Sequence, residues 1–317
     1  MRQAGLVRFI GTRFLLSRLG QGGYDRRQDG AAGLSEAGKK RTCLTYHTSE
    51  LRKKTMSESP RVLAIHAHPD DVEFQCAGTL ALLAQRGCRI TIATMTPGDC
   101  GSAELDAEAI AAVRRDEARS AARLLGADYL CLEFRDLAIF ADDDARRRVT
   151  EALRRVRPDL VLTAPPVDYL ADHEATSALV RDACFAAPVP NYATRQWEPA
   201  PPLERIPYLY FVDPLEGADR DGRPVAPDFY VDITEVFATK RAMLACHASQ
   251  RQWLLKHHGI DEYLNSMEAW SRRRGTEIGV GFAEAFRQYR GHAYPQDNRL
   301  LSLIGQDGRG GRTDLSG

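Results

Sequence analysis

The chain has no CxxC pair. Its seven cysteines (residues 43, 76, 88, 100, 131, 184 and 246) are scattered and odd in number. That argues against a disulfide framework or a cysteine zinc site, and it fits a reducing, cytoplasmic compartment. No apolar run approaches the ~18–20 residues that cross a bilayer. No charge excess exists either: 43 Lys and Arg balance 43 Asp and Glu, so a basic nucleic-acid surface is not expected. No GxGxxG follows the first apolar strand and no GxxxxGK[ST] occurs, which weakens a nucleotide-binding reading. There is no internal repeat.

What is present is a core-forming chain of 317 residues, 44% hydrophobic, enough for one large domain. Residues 1–23 hold four arginines and no acid, with the apolar part broken by Arg13. They make a poor secretory segment. Residues 24–55 show no sustained period, so Met56 is expected to be the true start rather than residues 1–23 being a transit-like segment. The expected organisation is a poorly ordered extension over 1–58, a single domain over 59–304 and a disordered Gly-rich tail over 305–317.

From residue 61 apolar strands alternate with helical patterns. Strands are expected at 62–67, 89–95, 128–134 and 159–164, with helices at 72–86, 106–125, 142–156 and 173–186. Short connections between them imply an α/β fold, a mostly parallel sheet with helices on both faces. In such sheets ligands bind beyond the carboxyl ends of the strands. The candidate loops are therefore 66–73, 96–102, 135–141 and 165–173. Further strands are expected at 208–214 and 229–233, and helices at 235–255, 261–273 and 282–289. The loops 187–207 and 214–228 are expected to set specificity.

The first strand runs into AIHAHPDDVE, residues 64–73. One His and one Asp of this turn make two ligands for a divalent ion, and a second Asp can serve as a base. A third ligand is supplied by Asp172-His173, on the loop after the fourth strand. A His/Asp/His set with an open position suits a catalytic zinc, whereas structural zinc sites close four ligands, usually with Cys. The plainer reading is a turn in which Asp71 caps the next helix. His66, alternating with His68 along the strand, reads as a buried neighbour rather than a ligand.

AHPDDVE after the first strand, TPGDCGS after the second, Arg114-Arg115-Asp116-Glu117-Ala118 in the next helix and Asp168-Tyr169-x-x-Asp172-His173-Glu174-Ala175-Thr176 after the fourth strand resemble the LmbE-like, or PIG-L, family of metal-dependent N-deacetylases, in order over about residues 61–290. The resemblance implies a Rossmann-like three-layer fold, a Zn2+ ion (Fe2+ in some members) and hydrolysis of an acetamide on an N-acetylglucosamine-type sugar. Carried over by position, His68, Asp71 and His173 match the metal ligands and Asp70 the general base. Arg114 resembles a substrate-contacting Arg, with a solvated ion pair to Glu117 as the plain alternative. The family's second motif often reads His-Pro-Asp-His, its first His supporting the oxyanion. Here Leu170 stands at that position and cannot donate a hydrogen bond. Candidate donors are Tyr169, His247 and His292.

Asp99 and Asp172 are expected to support the ligands from behind; Asp99 equally suits a turn. Cys246 to Gln250 is expected mid-helix, lining the pocket. His257 and His258 read as surface or capping residues, and Trp197, Trp253 and Trp270 as core. The expected partner is a small amino-sugar or glycoconjugate substrate; a homo-oligomer is compatible with the sequence. The competing reading is a catalytically impaired family member that binds a sugar or a partner protein.

Overall fold

The structure, a computed structural model, describes residues 59–251 and 262–307. The expectations for residues 1–58, Trp253, His257, His258 and residues 308–317 lie outside the described residues. The six cysteines within them are all free. No helix among the described residues is long and apolar enough to cross a membrane.

The alternation seen in the sequence forms as expected. β1 (Arg61–His66), α1 (Asp71–Gln85), β2 (Arg89–Thr94), α2 (Ala107–Arg123), β3 (Asp128–Cys131), α3 (Asp143–Val156), β4 (Leu160–Thr163) and α4 (Ala171–Ala186) follow in turn. Then come β5 (Tyr208–Val212), β6 (Phe229–Asp232), α5 (Phe237–Ala245), α6 (Glu262–Ile278), β7 (Ala283–Gln288) and α7 (Arg299–Ile304). The sheet order is β3-β2-β1-β4-β5-β7-β6. The first five strands are parallel, and β7 runs antiparallel to both β5 and β6. Strand order reverses direction between β1 and β4. Connections from β1 and β4 leave on opposite faces there and open a crevice at their carboxyl ends.

Period-two alternation explains why both faces are covered. Val62 and Ala64 of β1 point into a core shared with α1, α5 and α6, while Leu63 and Ile65 point into a second core shared with α3 and α4. The helix starts are set by local chemistry. Asp106 and Asp142 cap α2 and α3, accepting the backbone N–H of Ala109 and Ala145 at 2.8 Å each.

Two expectations are corrected. Residues 282–289, which include Ala283, Glu284, Ala285, Arg287 and Gln288, suggest a helix, yet Ala283–Gln288 form β7. Four consecutive residues, Ala283 to Phe286, are buried there, and pairing with two strands outweighs helix propensity. The expected helix over 235–255 also breaks: α5 ends at Ala245 and His247 lies outside it.

Glu284 is the reason β7 sits where it does. Its carboxylate accepts the N–H of Gly78 and Thr79 from within α1, at 2.9 and 2.7 Å. It also pairs with Lys240 Nζ at 2.6 Å, with both side chains buried. Lys240 in turn donates to the Phe74 carbonyl at 2.7 Å. Phe74 and Gly78 are four residues apart, so the pair grips both ends of one turn of α1. Gly78 itself leaves no room for a side chain, since a Cβ there would meet Ile233 at 2.8 Å. Removing one partner strands a buried charge. Glu284→Ala is expected to lower stability by about 3–5 kcal/mol, measured by chemical denaturation. A loss below about 1 kcal/mol, the size typical of an exposed pair, would show the pair to be dispensable.

Candidate metal centre and active site

The crevice between β1 and β4 gathers the polar residues of both following loops. Pro69 and Asp70 make the turn out of β1. Asp70 occupies the N-cap of α1 with φ 98°, in the left-handed region, and its side chain makes no capping bond. The capping reading of this motif therefore fails for Asp70. It fails for Asp71 too, which is the first residue of the helix and turns its carboxylate back toward the strand.

Asp71 Oδ2 is a hub. It accepts the backbone N–H of His68 at 2.8 Å. His66 Nδ1 lies 2.7 Å away, His68 Nδ1 3.3 Å and His173 Nε2 3.4 Å. Burial pushes the Asp71 carboxyl upward, but the imidazoles of His66 and His173 outweigh it and hold the group well below the usual range. Burial lowers the His173 imidazole, and the Asp71 and Asp168 carboxylates together more than reverse this, raising it to about 9. For His68 the same contest is won by Asp136, Asp172 and Asp71, again upward. In His66 burial wins and the group is lowered.

A cation fits this cluster. His173 is buried, yet neither ring nitrogen has a partner in hydrogen-bond geometry, and His66 Nε2 has none either. Among the described residues, the donor atoms of His66, Asp71 and His173 lie within 4.8 Å of one another. His68 belongs to a second such group with Asp136 and Asp172. Distances separate the two histidines of the first motif. Two donors on one tetrahedral ion, each about 2.0–2.2 Å from it, stand roughly 3.4 Å apart. The contacts of His68 Nδ1 and His173 Nε2 with Asp71 match that spacing. His66 Nδ1 at 2.7 Å is instead at direct hydrogen-bond distance, to which a protonated Nδ1 donates.

Behind the histidines stands a row of carboxylates. His68 Nε2 meets Asp136 Oδ1 at 2.9 Å and Asp172 Oδ2 at 3.3 Å. Asp172 is held by the N–H groups of Leu137 and Ile139. Asp99 does not touch the histidines. It accepts the N–H of Asp136 at 2.8 Å and so joins the 96–102 loop to the 135–141 loop. Asp168 Oδ2 lies 3.3 Å from His173 Nδ1. Asp136 and Asp168 were missed as individual residues, although both lie on loops that the strand pattern singles out.

A cavity of about 860 Å3 opens over the cluster, lined by Asp70, Asp71, His173, Tyr169, Tyr263 and Trp270 among others. Leu215, Glu216 and Ala218 of the 214–228 loop line it, and no residue of 187–207 does. Tyr169 is exposed, with its ring 5.5 Å from that of His173. The other expected substrate contacts lie elsewhere. His292 lines a separate cavity with Arg146 and Arg181. His247 is fully buried 3.5 Å from Glu73. Arg114 is buried behind the Asp70 turn, and Glu117 bonds Ser249 rather than Arg114. Trp270 lies against the guanidinium groups of Arg273 and Arg274 at the cavity wall. Trp197 is 97% exposed and packs in no core. Tyr263, 193 residues away in sequence, donates its hydroxyl to Asp70 Oδ2 at 2.7 Å. No local pattern announced it.

Residues 63–184 match the family model described as PIG-L: GlcNAc-PI de-N-acetylase. Among curated proteins, the chain is 29% identical over 217 residues to a 4-oxalmesaconate hydratase of Pseudomonas putida, covering 66% of this chain and 81% of that one. It is 27% identical over 297 residues to a 1D-myo-inositol 2-acetamido-2-deoxy-alpha-D-glucopyranoside deacetylase of Kineococcus radiotolerans, covering 71% and 81%. Among solved structures, N,N'-diacetylchitobiose deacetylase from Pyrococcus horikoshii superposes with a TM-score of 0.62 at 25% identity, covering 75% of this chain and 88% of that one. Over residues 63–184 the chain matches the PIG-L (LmbE-like) family domain, and the relatives it resembles are named both as deacetylases and as hydratases.

Proposed function

We propose that this protein is a zinc-dependent N-deacetylase that hydrolyses the acetamide of an N-acetylglucosamine-type amino sugar. The observation that carries the reading is Asp70: a carboxylate at a helix start, unused for capping, that lines the cavity beside Asp71 and His173. Two of the relatives named above act on N-acetylated amino sugars by their names. We assign the metal to His68, Asp71 and His173, with Zn2+ the expected ion and Fe2+ the alternative. When bound there, such an ion supplies Lewis acidity and a more acidic water. His66 then serves to hold Asp71 by hydrogen bond, and Asp136, Asp172 and Asp168 fix the two histidine rings.

Asp70 removes the proton of the attacking water and returns one to the departing amine. Burial raises the Asp70 carboxyl against the pull of Arg114, which suits a group that must both take and give a proton. The oxyanion needs a donor that Leu170 lacks. Of the three candidates, Tyr169 alone lines the cavity, and its hydroxyl is assigned that role.

A second reading is favoured by one observation. Addition of water to a conjugated carbon–carbon double bond forms an enolate in place of a tetrahedral acyl oxyanion, so its donor need not stand at position 170. The hydratase relative makes this the reaction to test beside deacetylation.

Three outcomes are expected. The full chain loaded with zinc releases primary amine from a panel of N-acetylglucosamine derivatives, and Asp70→Ala keeps its metal but loses that release. Bleaching of conjugated unsaturated dicarboxylic acids without amine release favours the hydratase. Metal-loaded protein that turns over neither class favours a binding role. Metal analysis of folded variants is expected to show His68→Ala and His173→Ala without stoichiometric zinc. His66→Ala retains zinc with an affinity about 10–100-fold weaker; retention by His68→Ala and loss by His66→Ala reverses the ligand assignment. Tyr169→Phe is expected to lower kcat by about 10²–10³, and an unchanged kcat removes Tyr169 from the oxyanion role.

A further inference from the structure

We propose that Gln75 is a specificity-determining residue whose side-chain amide, one turn of α1 beyond Asp71, hydrogen-bonds a hydroxyl of the sugar ring that carries the acetamide. The inference rests on the reading of the substrate as an amino sugar.

The helix puts this amide in the cavity. Residues three and four apart share a face of a helix, and Asp71, Phe74 and Gln75 of α1 all line the cavity. Another wall is α6, which contributes Tyr263, Ser266 and Trp270. The indole of Trp270 is held in place. The Arg274 guanidinium lies 4.5 Å from its centre and bonds Asp213 at 2.7 and 2.9 Å. A Cβ at Gly217 would lie 2.6 Å from the same ring.

The amide has nothing to bond inside the fold. Gln75 Oε1 is buried without a hydrogen-bond partner, and among the described residues neither end of the amide is bonded. The polar groups around it are already taken. Lys240 donates to Glu284 and to the Phe74 carbonyl. Glu284 also accepts two amides of α1, and Asp213 is bonded to Arg274. Behind Gln75, Leu215 and Trp270, these groups border a second space of only about 10 Å3, the lower limit for one water. A buried amide left unbonded costs stability and is rare in native folds. One kept at a cavity wall is explained by a ligand that supplies the bond.

The chemistry of the wall names the ligand group. With no partner holding it, the amide turns about its last bond and offers its N–H or its oxygen. A hydroxyl answers either, being both donor and acceptor. An aromatic plane beside an amide suits a sugar ring, whose C–H face lies on the indole. The acetamide itself must meet Asp70 and Asp71, a helical turn away. The group at Gln75 therefore belongs to the ring and not to the bond that is cut.

A lost contact and a damaged fold separate in two measurements. Gln75→Met keeps the shape and removes the polar atoms. Its midpoint of chemical denaturation is expected to equal or exceed that of the wild type, since no internal bond is lost, and zinc stoichiometry is expected to stay full. KM for an N-acetylglucosamine derivative is expected to rise about 3–10-fold. On a set of monodeoxy derivatives the rise is expected to vanish for one member, the one lacking the hydroxyl that Gln75 takes. An unchanged KM overturns the inference, and so does a rise of equal size on every member. Should Gln75→Met not fold, Gln75→Asn draws the same amide back by one methylene and is expected to show the same pattern; a wild-type KM in that variant overturns the inference. If the wild-type chain releases no amine from any derivative, the deacetylase reading fails. Calorimetric titration of the zinc-loaded protein with N-acetylglucosamine then decides on Gln75. Weaker binding by Gln75→Met upholds the contact; equal binding, or none by either protein, overturns it.

Discussion

One oxygen organises the site. Asp71 Oδ2 has three imidazole nitrogens within 3.4 Å and a backbone N–H at 2.8 Å. A buried carboxylate is costly unless matched by positive charge and hydrogen bonds, and here the matching groups come from β1, from the turn after it and from the start of α4. None of those segments can shift without leaving the carboxylate exposed to the others' loss. The electrostatic demand of this one atom therefore fixes where the β1 and β4 loops meet.

The outer ring of acids extends the same logic. Asp136 and Asp172 meet on His68 Nε2, and Asp172 is itself held by two backbone N–H groups of the loop after β3. Asp99 then ties the loop after β2 to Asp136. All four loops at the carboxyl edge are joined through side chains that touch a histidine or touch a residue that does. The rigidity of the centre is a property of that chain of contacts, and the parallel strands beneath supply the common edge from which it starts.

Much of this was legible in the residues. The alternation of Val62, Leu63, Ala64 and Ile65 between two cores, followed by His68-Pro69-Asp70-Asp71, placed a polar turn at a strand end. The Asp172-His173 pair placed its partner. What stayed hidden depends on long-range packing. Tyr263 reaches Asp70 across 193 residues, and no local period encodes that. Ala283–Gln288 has a helix-forming composition, and only pairing with β5 and β6 on either side makes it a strand. Arg114 is buried against Gly98 and Gly101 of the loop after β2, a packing that no local period encodes.

The Lys240–Glu284 pair reaches further than its own neighbourhood. It joins β7, on the antiparallel side of the sheet, to the second turn of the helix whose first residue is Asp71. The β6–β7 pair at one end of the sheet would ordinarily open and close without the rest of the domain. Here peeling β7 away strands an ammonium and a carboxylate and frees two helix amides at once. The antiparallel side of the sheet and α1 are thereby bound together, so that opening β7 also costs α1 the contacts that hold its second turn.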